Sequence, residues 1–204
     1  MVRTLSYAEQ LDECGYVILP SILSPDTIAR TTQRIEQLLD ASLSTAEYLH
    51  GSKGTAHLKD LDPELPWIAH ALREEPIARL VRQHLGDASH RGITYRAPMP
   101  GHGAQTLHVD WIGPVYEKHV VCTVLLALVD ISGRNGGTRL VRGSHRDVPR
   151  MLPKSLRDRM PGEIIPALTA GDALLFSGHI YHGGSENNSP HPRHALLINY
   201  EGIR

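Results

Sequence analysis

Apolar residues recur along this chain with two different periods, and the change between them falls near residue 90. Before it the spacing is helical. Ser6 stands three residues ahead of Glu9, the pairing of a reciprocal N-terminal cap, and the helix it starts is expected to stop at Gly15, whose missing Cβ suits a left-handed end residue. Tyr16–Leu19 then reads as a short strand. Ser24-Pro25-Asp26 opens a second helix with a capping hydroxyl, a φ set by the proline ring and a negative charge near the positive end of the dipole. Ile28, Ile35, Leu38 and Leu39 mark its buried face. The stretch 41–65 is less regular, and a further helical region covers about 66–85, closed by Gly86.

From Arg91 onward the chain consists of short runs rich in Val, Ile, Thr, Tyr and Leu, separated by Gly, Pro and Asn. Eight runs are expected to be strands: 92–97, 104–110, 120–130, 138–143, 163–168, 173–177, 180–183 and 194–200. Helices followed by many short strands argue against a doubly wound parallel sheet and for a mainly β protein with N-terminal helices. Eight strands suit a closed two-sheet barrel. The expected organisation is a single domain over 1–204, with residues 1–90 as a helical support layer and 91–204 as the barrel core.

Charge and composition narrow the partners. Twenty-one Lys and Arg against 22 Asp and Glu leave a net charge of -1, with no basic block to track a phosphate backbone, so nucleic acid is not expected. The apolar stretch 120–129 is interrupted by Thr123 and is far shorter than the roughly 20 residues a membrane helix needs. The N-terminus lacks the apolar core of a secretory signal, and Cys14 and Cys122 lie far apart in unrelated contexts, so a reducing, cytoplasmic setting is the expectation. One bias stands out: 13 His and a single Phe, a composition that directs attention to metal ligands.

Phosphate-binding loops, H-E-x-x-H helices, C-x-x-C pairs and G-x-S-x-G elbows are all absent from the sequence. What remains is His108-Val109-Asp110 near the end of the second expected strand. Strand side chains alternate faces, so residues i and i+2 point the same way, and one imidazole and one carboxylate converge on one point. Two histidines and one carboxylate with open positions form the arrangement used by non-haem Fe(II) oxygenases. Candidates for the third ligand are His179 and His182, both near the seventh run. His182 is preferred, because Arg193 follows it by eleven residues, where a guanidinium can grip a carboxylate with two hydrogen bonds.

With these residues in place, most of the chain resembles the phytanoyl-CoA dioxygenase family of Fe(II)- and 2-oxoglutarate-dependent oxygenases. The likeness begins with Glu13-Cys-Gly-Tyr-Val-Ile-Leu-Pro-Ser-Ile-Leu-Ser24 and passes through His108-Val109-Asp110. It continues in Asn135-Gly136-Gly137-Thr138 and Arg142-Gly143-Ser144-His145-Arg146, where Arg142 stands at a position the family often gives to proline. It closes with His182-Gly-Gly-Ser-Glu-Asn187-Asn-Ser189-Pro-His-Pro-Arg193. The resemblance implies a double-stranded β-helix, the jelly-roll or cupin-like barrel, in which His108, Asp110 and His182 bind Fe(II) and Arg193 binds the distal carboxylate of 2-oxoglutarate. By face alternation Thr106 is the expected second contact to the cosubstrate, with Gln105 facing out unless a bulge intervenes.

The implied reaction couples decarboxylation of 2-oxoglutarate by O2 to hydroxylation of an unactivated C–H bond in a small molecule, free or tethered to CoA or a carrier protein. Two other classes accommodate the same residues: a cupin-like barrel that binds metal or ligand without turnover, and a metal-dependent hydrolase or isomerase that works without O2.

Overall fold

The computed structural model describes residues 4–43, 54–111, 119–146 and 159–203. Helix α1 (Tyr7–Cys14) starts as its sequence requires: Ser6 N–H donates to Glu9 Oε2 at 2.8 Å, Glu9 N–H donates to Ser6 Oγ at 3.3 Å, and Gly15 ends the helix at φ 82°. Strand β1 (Tyr16–Leu19) follows, then α2 (Pro25–Leu43), whose first turn is held by Thr27 N–H on Ser24 Oγ. Ile35 of α2 is fully buried, and Ile28, Leu38 and Leu39 pack beside it.

The irregular stretch contains a strand, β2 (Thr55–Leu58). All four of its residues are half-buried, so no alternation marks it in the sequence. The expected helix over 66–85 is divided into α3 (Pro66–Ala71) and α4 (Ile77–Leu85). Pro76 accounts for the break, since a proline has no N–H for the helix ladder and disfavours helical geometry in the residue before it.

The remaining strands are β3 (Ala88–Pro98), β4 (Val121–Ala127), β5 (Thr138–Val141), β6 (Glu163–Ile164), β7 (Ala173–Ser177), β8 (His182–Gly184) and β9 (Ala195–Gly202). They form two antiparallel sheets, a large one in the order β1-β7-β4-β9-β3-β2 and a small one in the order β6-β5-β8. The expected strand 104–110 lies along the free side of β8 but pairs with it regularly at only one point. There His108 and His182 exchange two backbone hydrogen bonds, of 2.8 and 2.9 Å.

Alternation along the central strands explains why their sequences read as continuous apolar runs. On β4, Val124 and Leu126 face the helices while Leu125 and Ala127 face the small sheet; on β9, Leu196 and Ile198 face the helices while Ala195 and Leu197 face inward. Both faces are buried, so strand residues on either side contribute, at roughly 1.5–3 kcal/mol for each fully buried aliphatic side chain. Toward one end of the barrel the inward positions turn polar, with Thr123 on β4 and Asn199 on β9 directly paired.

Histidines fill a place aromatic rings usually take, between the helical layer and the barrel. His84 of α4 stacks on His119 with centroids 4.1 Å apart, and His119 in turn meets His179 edge-on at 5.0 Å and His145 at 5.5 Å. Among the described residues, no helix is long and apolar enough to cross a membrane.

The small sheet tolerates the close approach of 103–106 only because β8 ends in two glycines. A Cβ at Gly184 would lie 2.3 Å from the carbonyl oxygen of Gly103, which is backbone and cannot swing away. Gly184→Ala is expected to destabilise the protein by about 1–3 kcal/mol, the usual cost of overpacking. Urea unfolding of the two proteins measures it, and an unchanged midpoint would show that segment 103–106 does not need this contact.

Candidate metal and dicarboxylate site

The pair of bonds between His108 and His182 puts two imidazoles on neighbouring strands with ring centroids 4.4 Å apart. Each ring is oriented by its own backbone: His108 Nδ1 bonds the Thr106 carbonyl and His182 Nδ1 bonds the Ile180 carbonyl, both at 3.0 Å. A carbonyl oxygen only accepts, so each Nδ1 carries a proton, and each Nε2, turned toward Asp110, is the nitrogen left to give a metal its lone pair once deprotonated.

Asp110 completes the cluster. Its N–H donates to the Gly178 carbonyl at 2.8 Å, and its Oδ1 lies 3.4 Å from His182 Nε2 and 4.0 Å from His108 Nε2. Thr123 Oγ1 bridges Asp110 Oδ2 at 3.4 Å and Asn199 Oδ1 at 2.9 Å. Burial pushes the carboxyl's pKa up, but His182, His108 and the Thr123 hydroxyl outweigh it and hold Asp110 below the ordinary carboxylate value. The three residues offer one ligand atom each, all within 4.8 Å of one another, the one such group among the described residues. Two imidazole nitrogens and a carboxylate oxygen are a donor set that suits Fe(II).

His179, the other candidate third donor, is turned elsewhere. It is buried, and its Nε2 accepts the Val120 N–H at 3.1 Å, which occupies that lone pair.

Arg193 lies two residues before β9, its N–H on the Pro98 carbonyl at 3.2 Å. Asn187 fixes the approach to it. The Asn187 Nδ2 donates to the Pro98 and His191 carbonyls, and Oδ1 accepts from both the N–H and the hydroxyl of Ser189, so every polar atom of this buried side chain is used. The Arg193 guanidinium is buried with Nε and Nη1 lacking any hydrogen-bond partner among the described residues. Burial lowers its pKa to about 10, with neighbouring Arg96 adding to the shift and Tyr95 opposing it. A buried cation with unused donors is costly to maintain, and an anion supplied from outside removes that cost.

His108, Asp110, His182 and Arg193 line one cavity of about 160 Å³, with Leu125, Phe176 and Leu197 as its apolar wall. Thr106 is not part of it. The Gly184 carbonyl is bonded by the N–H of Gln105, not of Thr106, so two residues, Thr106 and Leu107, oppose one, Gly183, between this bond and the His108–His182 pair. This bulge reverses the alternation: Gln105 faces the cavity, its Oε1 accepting the Gly184 N–H at 2.9 Å, while Thr106 is exposed. Gln105 thus lines the cavity where the sequence pattern places Thr106. Arg96, Thr123 and Asn199 also line the cavity without having been singled out for it. Thr123 and Asn199 had a signal, a polar residue at an inward position of an otherwise apolar strand. Tyr95 and Tyr181 belong to apolar packing.

The family description "Phytanoyl-CoA dioxygenase (PhyH)" matches residues 11–195. The dioxygenase trt7 of Aspergillus terreus is 29% identical over 93% of this chain and 70% of its own length. The Fe(II)/2-oxoglutarate-dependent dioxygenase nvfF of Aspergillus novofumigatus is 29% identical over 87% of this chain and 64% of its own. The chain thus spans about two-thirds of the length of these relatives. Among solved structures, HygX of Streptomyces hygroscopicus, with nickel, 2-oxoglutarate and hygromycin B bound, superposes with a TM-score of 0.78 at 16% identity, over 98% of this chain and 88% of its own. The carbocyclase SnoK of nogalamycin biosynthesis gives 0.77 at 19% identity, over 98% of this chain and 85% of its own, so the jelly-roll fold is shared with both. The match over residues 11–195 settles the affiliation: this chain belongs to the phytanoyl-CoA dioxygenase family.

Proposed function

We propose that this chain is one catalytic unit, an Fe(II)- and 2-oxoglutarate-dependent oxygenase that hydroxylates an unactivated C–H bond of a small molecule, free or tethered to CoA or a carrier protein, with release of succinate and CO2. The observation that carries the reading is one cavity shared by a two-histidine, one-carboxylate donor set and a buried guanidinium with unused donors. In this reading His108, Asp110 and His182 hold the iron and Arg193 holds the distal carboxylate of the cosubstrate. When bound, iron and 2-oxoglutarate supply the activation of O2 and the oxidation of the C–H bond, chemistry that no side chain performs alone.

The protein's contribution is placement and exclusion. The backbone carbonyls of Thr106 and Ile180 keep both imidazoles in the metal-binding tautomer, and Thr123, braced by Asn199, holds the carboxylate toward them. Burial of the Arg193 guanidinium strengthens its grip on a carboxylate. Asp110 itself favours hydroxylation over halogen transfer, because a carboxylate occupies the position a halide would need.

His108→Ala, Asp110→Ala and His182→Ala are each expected to abolish substrate oxidation and to eliminate the charge-transfer absorption that Fe(II) and 2-oxoglutarate produce together without O2. A variant keeping that band at wild-type strength removes its residue from the metal site. Arg193→Leu should separate the two ligands: iron binding stays near wild type while half-saturation by 2-oxoglutarate shifts upward by at least about tenfold, and Arg193→Lys recovers only part, lacking the planar fork. Unchanged 2-oxoglutarate saturation in Arg193→Leu would take this residue out of the site.

A further inference from the structure

The segment that supplies two of the proposed metal donors is poorly held by its own backbone. Between residues 104 and 110, regular pairing to β8 occurs only at His108, and the bulge at Gln105 interrupts the ladder next to it. A side chain from two strands away crosses this gap. Arg139 of β5 lies opposite Gly183 of β8, which has no side chain in the way, and its Nη1 reaches the Gln105 carbonyl at 3.3 Å. On its other side Arg139 meets Glu163 of β6 through two parallel bonds, Nε to Oε1 at 2.8 Å and Nη2 to Oε2 at 3.1 Å. Both side chains are buried, and Glu163 Oε2 also accepts the Met160 N–H at 3.1 Å. Burial raises the Glu163 pKa, but these bonds outweigh it and hold the carboxyl below its ordinary value.

We propose that Arg139, locked by Glu163, is a positioning residue that straps the bulged segment carrying Gln105, His108 and Asp110 across the outer face of the small sheet. The carboxylate fixes the guanidinium plane with two of its donors, and a third is thereby aimed at the Gln105 carbonyl, beside the bulge. Gln105 is pinned three times, by Arg139 at its carbonyl and by Gly184 at its N–H and its Oε1, which sets the position of its side chain in the cavity. Arg139 does not line the cavity itself but bonds Gln105, which does, so it acts through the segment it holds.

The inference rests on the donor set assigned above, and its test keeps the two apart. Fe(II) affinity, half-saturation by 2-oxoglutarate and thermal unfolding are measured for the wild type, Arg139→Met, Arg139→Lys and the double variant Arg139→Met with Glu163→Met. Arg139→Met leaves a buried carboxylate unpaired and should lower the unfolding temperature. The double variant removes both charges and should recover most of that loss, since buried pairs are commonly replaceable by apolar residues. Iron affinity should nevertheless remain about 10- to 100-fold weaker in both, the range for losing a group that orients a ligand, with 2-oxoglutarate saturation shifted upward as well. Arg139→Lys, with one donor direction in place of a fork, should recover only part of either. Wild-type iron affinity in the double variant would overturn the strap and leave Arg139 as a stabilising residue only. A wild-type chain that binds no Fe(II) would overturn the metal assignment and the strap with it.

Discussion

Two backbone hydrogen bonds, exchanged between His108 and His182, set the geometry on which the site depends. They bring two strands into register so that both imidazoles emerge on the same face, and the residue two places on, Asp110, necessarily joins them. Everything else in the small sheet accommodates this pair. Gly183 and Gly184 let the neighbouring segment come close, and the large sheet behind supplies a rigid backing of side chains buried on both faces. Of the three candidate donors, His182 stands on β8, while His108 and Asp110 stand on a segment joined to it at one regular pair.

The electrostatics of the cavity are unbalanced by design of its residues. At one end a carboxylate is held ionised by imidazoles and a hydroxyl; at the other a buried guanidinium has unused donors and a second arginine, Arg96, beside it. Among the described residues the Arg193 Nε and Nη1 have no partner, which supports the proposal that an anion is bound there beside the histidine and carboxylate cluster.

The sequence revealed the parts governed by short-range rules. The reciprocal cap at Ser6 and Glu9, the proline start of α2 and the apolar runs of β4, β7 and β9 all follow from a few adjacent residues, and each formed as expected. The same holds for the His108-x-Asp110 claw, because a period of two is a local property. What escaped depended on contacts the sequence does not encode locally. Strand β2 lacks alternation since none of its residues is fully buried, and Gln105 and Thr106 exchanged faces because the bulge arises from how Gly184 meets the segment, not from the segment's own composition. The spacing to Arg193 favours His182 over His179, and the structure separates them further: His182 pairs with His108, while the His179 Nε2 is taken up by the Val120 N–H.

The high histidine content has a meaning apart from the metal. His84, His119, His145 and His179 fill a seam between helix and barrel where a protein richer in phenylalanine would place benzene rings, and His84 Nε2 is buried there without a hydrogen-bond partner among the described residues. An imidazole packs in such a place only while it is neutral. Burial holds the His84 pKa well below its ordinary value, and the three neighbouring rings push it further. The unfolded chain therefore takes up a proton that the folded one refuses, and the difference grows as pH falls through about 6.5, the ordinary histidine value. Aromatic filler would have been indifferent to acidity; this seam makes the proton a competitor of the folded state.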